Sequence, residues 1–178
     1  GSSCSKMWPY SPELVKRLLK HREDVTVLVL GDPRGMEFEA HPRLLNVGLG
    51  WPVRRAMTMC KLATVVIGQE TGLLNCVSFE EAVHKIVLFT HSSIENLTRD
   101  WPNTVNDRKF PECAGTTGCH RLHYTWQFCN KDEITQAAMC QAMIPALEVL
   151  GYVQDALRGV YAPAFNVIPI VAAEQVAA

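Results

Sequence analysis

An acid, a hydroxyl and a glycine follow a hydrophobic run near the middle of the chain, at Glu70-Thr71-Gly72. The run at 63–67 predicts a buried strand, and the residues after Gly72 predict a helix. Ligands of open α/β sheets bind where the strands end, and the free N–H groups at the start of a helix favour a phosphate. Thr71 and Gly72 are therefore candidate phosphate ligands. Glu70 is a candidate ligand for a sugar hydroxyl or a base, because a carboxylate repels a phosphate.

A second pair of polar residues, Ser92 and Ser93, follows another predicted strand at 85–90. The carboxyl ends of parallel strands share one edge of the sheet, so both serines are candidate phosphate contacts. The formation of a simple turn explains these two serines equally well.

Glu37 follows the aliphatic strand predicted at 25–30, where nucleotide-binding domains often place an acid against ribose hydroxyls. A loop with several acids is more commonly just solvated, so both interpretations stay open. Asn75 lies one turn into the helix after Gly72, where it can reach the same ligand or remain a surface residue.

The seven cysteines, at 4, 60, 76, 113, 119, 129 and 140, raise the question of a metal site. Structural zinc usually takes a close pair with two to four residues between the cysteines, and no such pair occurs here. A spatial site built from Cys113, Cys119, Cys129 and Cys140 stays an alternative, as does a disulfide between the first two. Buried thiols are the favoured interpretation, and the odd count fits a reducing cytoplasm.

The composition predicts one domain with a sizeable core, since 48% of the 178 residues are hydrophobic and 20% are charged. A net charge of −1 argues against a nucleic-acid partner. No apolar run reaches the ~20 residues of a membrane span. The three residues 1–3 resemble a cloning remnant or a cut, so we expect a single domain over 4–178.

The order of apolar segments predicts an α/β fold, a Rossmann-like parallel sheet with helices on both faces. A cysteine-bearing irregular excursion over 91–130, with a short helix near 95–100, should precede the C-terminal helices. The tail from 160 is expected either to dock on the sheet or to contact a missing partner domain. The predicted strands are 25–30, 44–49, 64–67 and 85–90, and the predicted helices are 12–22, 51–60, 71–82, 132–143 and 146–157.

Three motifs in order resemble one family. They are Lys6-Met7-Trp8-Pro9, the segment 66–75 with its Glu-Thr-Gly, and the cysteine-bearing stretch 119–145 that ends in Cys-Gln-Ala-Met-Ile-Pro. Together they are similar to the carboxyl-terminal half of GT-B glycosyltransferases of the ADP-heptose:lipopolysaccharide heptosyltransferase type. Two departures, Glu70 for the family's aspartate and Asn75 for its histidine, leave the donor sugar open.

The resemblance implies a donor-binding domain of an inverting, metal-independent transferase, with a nucleoside-diphosphate sugar as ligand and ADP-heptose as one candidate. It implies Lys6 as a diphosphate ligand, where the alternative is a solvated lysine near a chain end. The acceptor and the catalytic base would belong to an amino-terminal domain of the same polypeptide. This half alone would then be inactive, with no cofactor and with at most peripheral membrane association of the full bacterial, cytoplasmic enzyme.

A function of another class remains open from the sequence. The second hypothesis, after the donor domain, is a non-catalytic α/β module that binds a partner or holds a structural metal through its cysteines and histidines. An epimerase-like enzyme of the same GT-B shape is a weaker alternative, and it too would need a second domain.

Overall fold

The computed structural model describes residues 6–31, 35–114, 119 and 129–159 and the backbone of 166–171. The first four α-helices are α1 (Ser11–His21), α2 (Val53–Leu62), α3 (Gly72–Asn75) and α4 (Ile94–Leu97), the last of which lies near the short helix predicted at 95–100. A 3₁₀ turn (Glu112–Ala114), α5 (Met139–Ala142) and α6 (Ala146–Gly159) come after them. The strands are β1 (Val25–Leu30), β2 (Leu44–Gly48), β3 (Val65–Gly68), β4 (His84–Leu88), β5 (Thr104–Asp107) and β6 (Asn166–Val171).

The six strands form one sheet in the order β2-β1-β6-β3-β4-β5, and every pairing is parallel. The last strand along the chain therefore lies in the middle of the sheet, where it pairs with β1 over 25–30 and with β3 at Ile67. The prediction of a Rossmann-like parallel sheet is confirmed. Of the two expectations for the tail from 160, docking on the sheet is the one that the structure shows.

Helices cover both faces of the sheet, because alternate residues of each strand point to opposite sides. Val27 and Val29 pack with α1 and α6 in one buried cluster. Leu28 and Leu30 of the same strand pack with α2 and α3 in a second cluster. The prediction of helices on both faces is thus confirmed, and one apolar layer packs on each face of the sheet.

The helices α1 and α6 occupy the positions that the sequence predicts. In α1 the apolar residues at helical spacing are buried, with Leu14 and Leu18 both at 0% exposure. Pro12 lies in the first turn, where its missing N–H has no helical partner to lose. The longer helix α6 begins after Pro145 for the same reason.

The helix predicted at 71–82 is wrong beyond Asn75. The chain continues in tight turns, in which Val77 N donates to Leu74 O, and Glu80 N donates to Val77 O. The fully buried Lys85 fixes this turn, since its Nζ donates to Glu80 O at 2.9 Å. This hydrogen bond holds the turn at Glu80 against the start of β4.

Two further predictions fail in the second half of the chain. The excursion predicted as irregular contains strand β5. Val105 is the single apolar residue of this edge strand, and it is exposed, so the apolar pattern that predicts a strand is weak here. The helix predicted over 132–143 is reduced to α5, because Lys131 pairs with Ala138 in an antiparallel bridge. The Asp132 carboxylate caps the intervening turn, accepting from the Thr135 backbone N–H at 2.7 Å.

A charged cluster attaches the edge strand β5 to α6. The ammonium of Lys109 lies 3.0 Å from Asp107 Oδ1 and 2.8 Å from Glu148 Oε1. Tyr152 adds a hydrogen bond from its hydroxyl to Glu148 Oε1 at 2.8 Å. In the part of the chain that the structure describes, no helix is long and apolar enough to cross a membrane.

Candidate functional site

The site at the carboxyl edge of the sheet is built around an ion pair between Lys6 and Glu70. Lys6 Nζ donates to the Glu70 backbone oxygen at 2.8 Å and lies 3.0 Å from its Oε2. Both side chains are largely buried, with Lys6 16% and Glu70 5% exposed. The structure therefore brings together two residues that are far apart in sequence and that were predicted to contact the same ligand.

Both oxygens of the Glu70 carboxylate accept hydrogen bonds from the protein. Its Oε1 accepts from Thr90 N at 2.9 Å and from Ser92 N at 3.1 Å, and its Oε2 accepts from the Thr90 hydroxyl as well as from Lys6. Two carboxylate oxygens have about four acceptor positions. No position is left over for a sugar hydroxyl unless one of these donors moves.

Several opposing effects set the pKa of Glu70. Burial alone would raise it, but the charge of Lys6 and the hydrogen bonds from Thr90 and Lys6 outweigh burial and lower the pKa to about 2. The carboxylate consequently stays ionised throughout the physiological pH range. The Lys6–Glu70 pair is charge-neutral as a unit.

Trp8 holds Lys6 at this edge. Its indole is 2% exposed, and Nε1 donates to Ile144 O at 2.9 Å, just before α6. The Ser11 hydroxyl also donates to Trp8 O at 2.9 Å, which joins the segment to the start of α1. A buried tryptophan two residues after Lys6 thus fixes where the lysine side chain starts.

A pair of buried glutamines ties the ends of β3 and β4 to α5. Gln141 is 0% exposed, and its Nε2 donates to Phe89 O at 2.9 Å. The Gln69 amide lies 3.0 Å from Gln141 Oε1, and 3.2 Å from both the Lys6 carbonyl oxygen and the Trp8 backbone nitrogen. This network fixes the ends of β3 and β4 relative to α5.

Thr71 is the N-cap of the short helix α3 and directly follows Glu70 of the ion pair. Gly72 and Asn75 are the first and last residues of this helix. The Thr71 hydroxyl accepts from Leu74 N at 3.4 Å, so it caps the helix. Gly72 and Asn75 are exposed. The cap does not use Gly72 N, which belongs to the first turn of the helix.

The two predicted serines have different positions. Ser92 directs its backbone N–H at Glu70, as described above. Ser93 is 6% exposed and caps α4, with its hydroxyl accepting from Asn96 N at 3.2 Å. Ser92 therefore belongs to the Lys6–Glu70 site, whereas the Ser93 side chain stabilises the start of the following helix.

Glu37 lies exposed in the segment between β1 and β2. The strand before it ends at the same edge of the sheet as β3 and β4, because all strands are parallel. The residues 32–34 that connect the strand to this segment lie outside the described residues. Among the described residues, Glu37 takes no part in the hydrogen bonds of the site.

Cys140, one of the four cysteines of the alternative metal site, is a half-buried thiol in α5. Burial, with smaller contributions from Cys129, Cys119 and Cys113, raises its pKa to about 12. Among the described residues, no group of three or more His, Cys, Asp or Glu side chains is placed to hold a metal ion. His120 and His123, and also Cys4, lie outside that part of the chain.

The sequence analysis missed three residues of the site, Thr90, Gln69 and Gln141. Thr90 ends the strand that was predicted at 85–90, and both its backbone and its hydroxyl bind Glu70. A polar residue at the end of a buried strand is a signal that could have identified it. Gln141 gave no such signal, because a glutamine beside a cysteine in a helical stretch resembles any surface residue.

The donors at this edge are a lysine ammonium and backbone N–H groups, which here converge on the Glu70 carboxylate. Two of the three Lys6 N–H groups are used by Glu70, and no described residue accepts from the third. No protein family matches this sequence, and no curated protein or solved structure matches it.

Proposed function

We propose that this chain binds the donor of a glycosyl-transfer reaction, a nucleoside-diphosphate sugar, at the carboxyl edge of its sheet. The observation that carries this proposal is the placement of Lys6. A segment that precedes the first helix brings its ammonium to the ends of β3 and β4, beside Thr71 and Ser92. A lysine at such an edge is a point-charge ligand for a phosphate.

In such a reaction the leaving group is a nucleoside diphosphate, on which negative charge develops as the sugar departs. Preorganised donors stabilise this charge. Lys6 is the cation of the site, and the exposed backbone at Gly72 approaches the same edge. Asn75 and Glu37 are our candidates for contacts to the sugar and the nucleoside. The acceptor and the catalytic base would come from an amino-terminal domain, in a cytoplasmic enzyme of cell-surface polysaccharide synthesis.

Calorimetric titration with ADP, UDP and GDP tests this proposal. We expect one of the three to bind and the Lys6→Met variant to bind it at least about tenfold more weakly, the equivalent of roughly 1.4 kcal/mol. Lys61→Met is the matched control. Lys61 also forms an ion pair, 2.6 Å from Glu80, but it lies at the end of α2 that leads into the start of β3, away from the carboxyl ends of the strands. Failure of all three nucleotides to bind would refute the proposal.

The cysteines offer a different function, a structural or binding module with a metal. Metal analysis of the purified protein separates the two. About one zinc per chain, lost in Cys129→Ser and Cys140→Ser, would support the module. Metal-free folded protein that binds a nucleotide would support the donor domain.

A further inference from the structure

We propose that Glu70 is an internal competitor for Lys6, so that an anionic ligand binds by drawing the Lys6 ammonium away from the Glu70 carboxylate. This inference rests on the proposed function and adds to it a mechanism of selection. Glu70 would act on the bound diphosphate through Lys6, and not as a ligand of the sugar.

The first argument is the arrangement of donors around the carboxylate. An ammonium, two backbone N–H groups and a hydroxyl converge on the Glu70 carboxylate, at 3.0 Å for Lys6 Nζ, 2.9 Å for Thr90 N and 3.1 Å for Ser92 N. Such a set of donors is what an oxyanion needs. The protein's own carboxylate thus engages the ammonium that a phosphate oxygen would need.

The second argument is the balance of charge. An anion that approaches Lys6 meets a neutral pair in place of a single positive charge, and a carboxylate lies 3.0 Å from the ammonium it must engage. The low exposure of both groups keeps their interaction less screened than a surface ion pair. An anion of single charge gains little by exchanging with Glu70, whereas a diphosphate brings enough charge to compete.

The third argument is mechanical. Glu70 keeps three other donors when Lys6 leaves, from Thr90 N, the Thr90 hydroxyl and Ser92 N. The buried carboxylate therefore keeps hydrogen-bond donors after Lys6 has left. A buried charge without any donor would destabilise the protein far more than an unpaired charge on the surface. Lys6 is the one partner on a long flexible side chain, so it is the partner that can move.

The test uses inorganic pyrophosphate and ADP, which carry no sugar. We expect Glu70→Gln to bind both roughly tenfold more tightly than the wild-type protein, because the competing charge is gone. On a Lys6→Met background the same substitution should have no effect. Unchanged or weaker binding by Glu70→Gln would overturn the proposal, and so would a gain that persists without Lys6, since Glu70 would then repel the ligand directly.

A structure of the wild-type protein with pyrophosphate covers the case in which Glu70→Gln fails to fold. The proposal requires that Lys6 Nζ move beyond hydrogen-bond distance of Glu70 Oε2, and an intact pair beside bound pyrophosphate would overturn it. Binding of ADP by the wild-type protein with no gain in Glu70→Gln rejects the competition but keeps the donor-binding function. Absence of binding in every variant rejects both.

Discussion

At the scale of single residues, the site depends on how Glu70 is surrounded. The glutamate was selected from the sequence as a sugar ligand, and the structure shows its acceptor positions used by Lys6, Thr90 and Ser92. One methylene longer than an aspartate, the Glu70 side chain meets donors from two segments, Lys6 and the stretch that contains Thr90 and Ser92.

The depressed pKa of Glu70 predicts a specific dependence of stability on pH. A folded-state pKa of about 2, below the ordinary value of 4.5, means that ionised Glu70 stabilises the fold above pH 4.5 and that this contribution is lost as the pH falls toward 2. The full difference corresponds to on the order of 3 kcal/mol. Urea unfolding of the wild-type and Glu70→Gln proteins should differ most at pH 7.

The gap between the two proteins should then narrow steadily as the pH is lowered from 4.5. Glu13→Gln is the control, because Glu13 forms an exposed ion pair, 2.6 Å from Arg17, on the surface of α1. Its stability difference should be small at every pH. A gap for Glu70 that is constant from pH 7 to pH 3 would contradict the assignment.

At the scale of elements, the contact between the edge strand β5 and α6 depends on Lys109. Lys109 lies between Asp107, whose side chain is 1% exposed, and Glu148 of α6. Burial raises the pKa of Asp107 even though Lys109 opposes this effect. Removing the ammonium leaves a buried carboxylate without its cation.

We expect Lys109→Met to lower the free energy of unfolding by about 2 kcal/mol, less than the loss of a fully buried pair because Lys109 is 24% exposed. Lys16→Met is the matched control, since Lys16 pairs with Glu39 at 2.6 Å on the surface, with both side chains more than half exposed. It should cost under about 1 kcal/mol. Equal losses in urea unfolding would argue against a special role for Lys109.

How far the sequence predicts the elements depends on whether the signal is local. The runs that become β1, β4 and α1 are continuous or periodic and were located within one or two residues. The end of α3 at Asn75 was not predictable, because the turns after it involve a hydrogen bond from Lys85 Nζ to Glu80 O that no local pattern indicates. The same holds for the site, where Lys6 and Glu70 were both identified but their mutual ion pair was not.

At the scale of the whole molecule, β6 joins two parts of the sheet. On one side lie β2 and β1, and on the other lie β3, β4 and β5. The pairing with β1 covers six residues, while the pairing with β3 has one register pair, Ile67 with Ile170. Pro169 in this strand has no N–H to donate, so one ladder hydrogen bond is missing in the middle of the sheet.

A truncation after Gly159 should therefore lose the fold as a unit. Without β6, the strands β1 and β3 face each other across a gap with unpaired backbone groups, which promote association between chains. We expect aggregation or a non-cooperative melt by size-exclusion chromatography and circular dichroism. A truncation after Val171 keeps all six strands and serves as the control, and cooperative unfolding of both variants would show that β6 is dispensable.

The central position of β6 also has a consequence for how the protein comes into being. Synthesis proceeds along the chain, so the five earlier strands emerge while the slot between β1 and β3 is still vacant. The sheet cannot be completed in the order of translation, and contacts between such distant segments form slowly. We expect the nascent chain to hold its two half-sheets apart, as a substrate for chaperones, until residues 166–171 have left the ribosome.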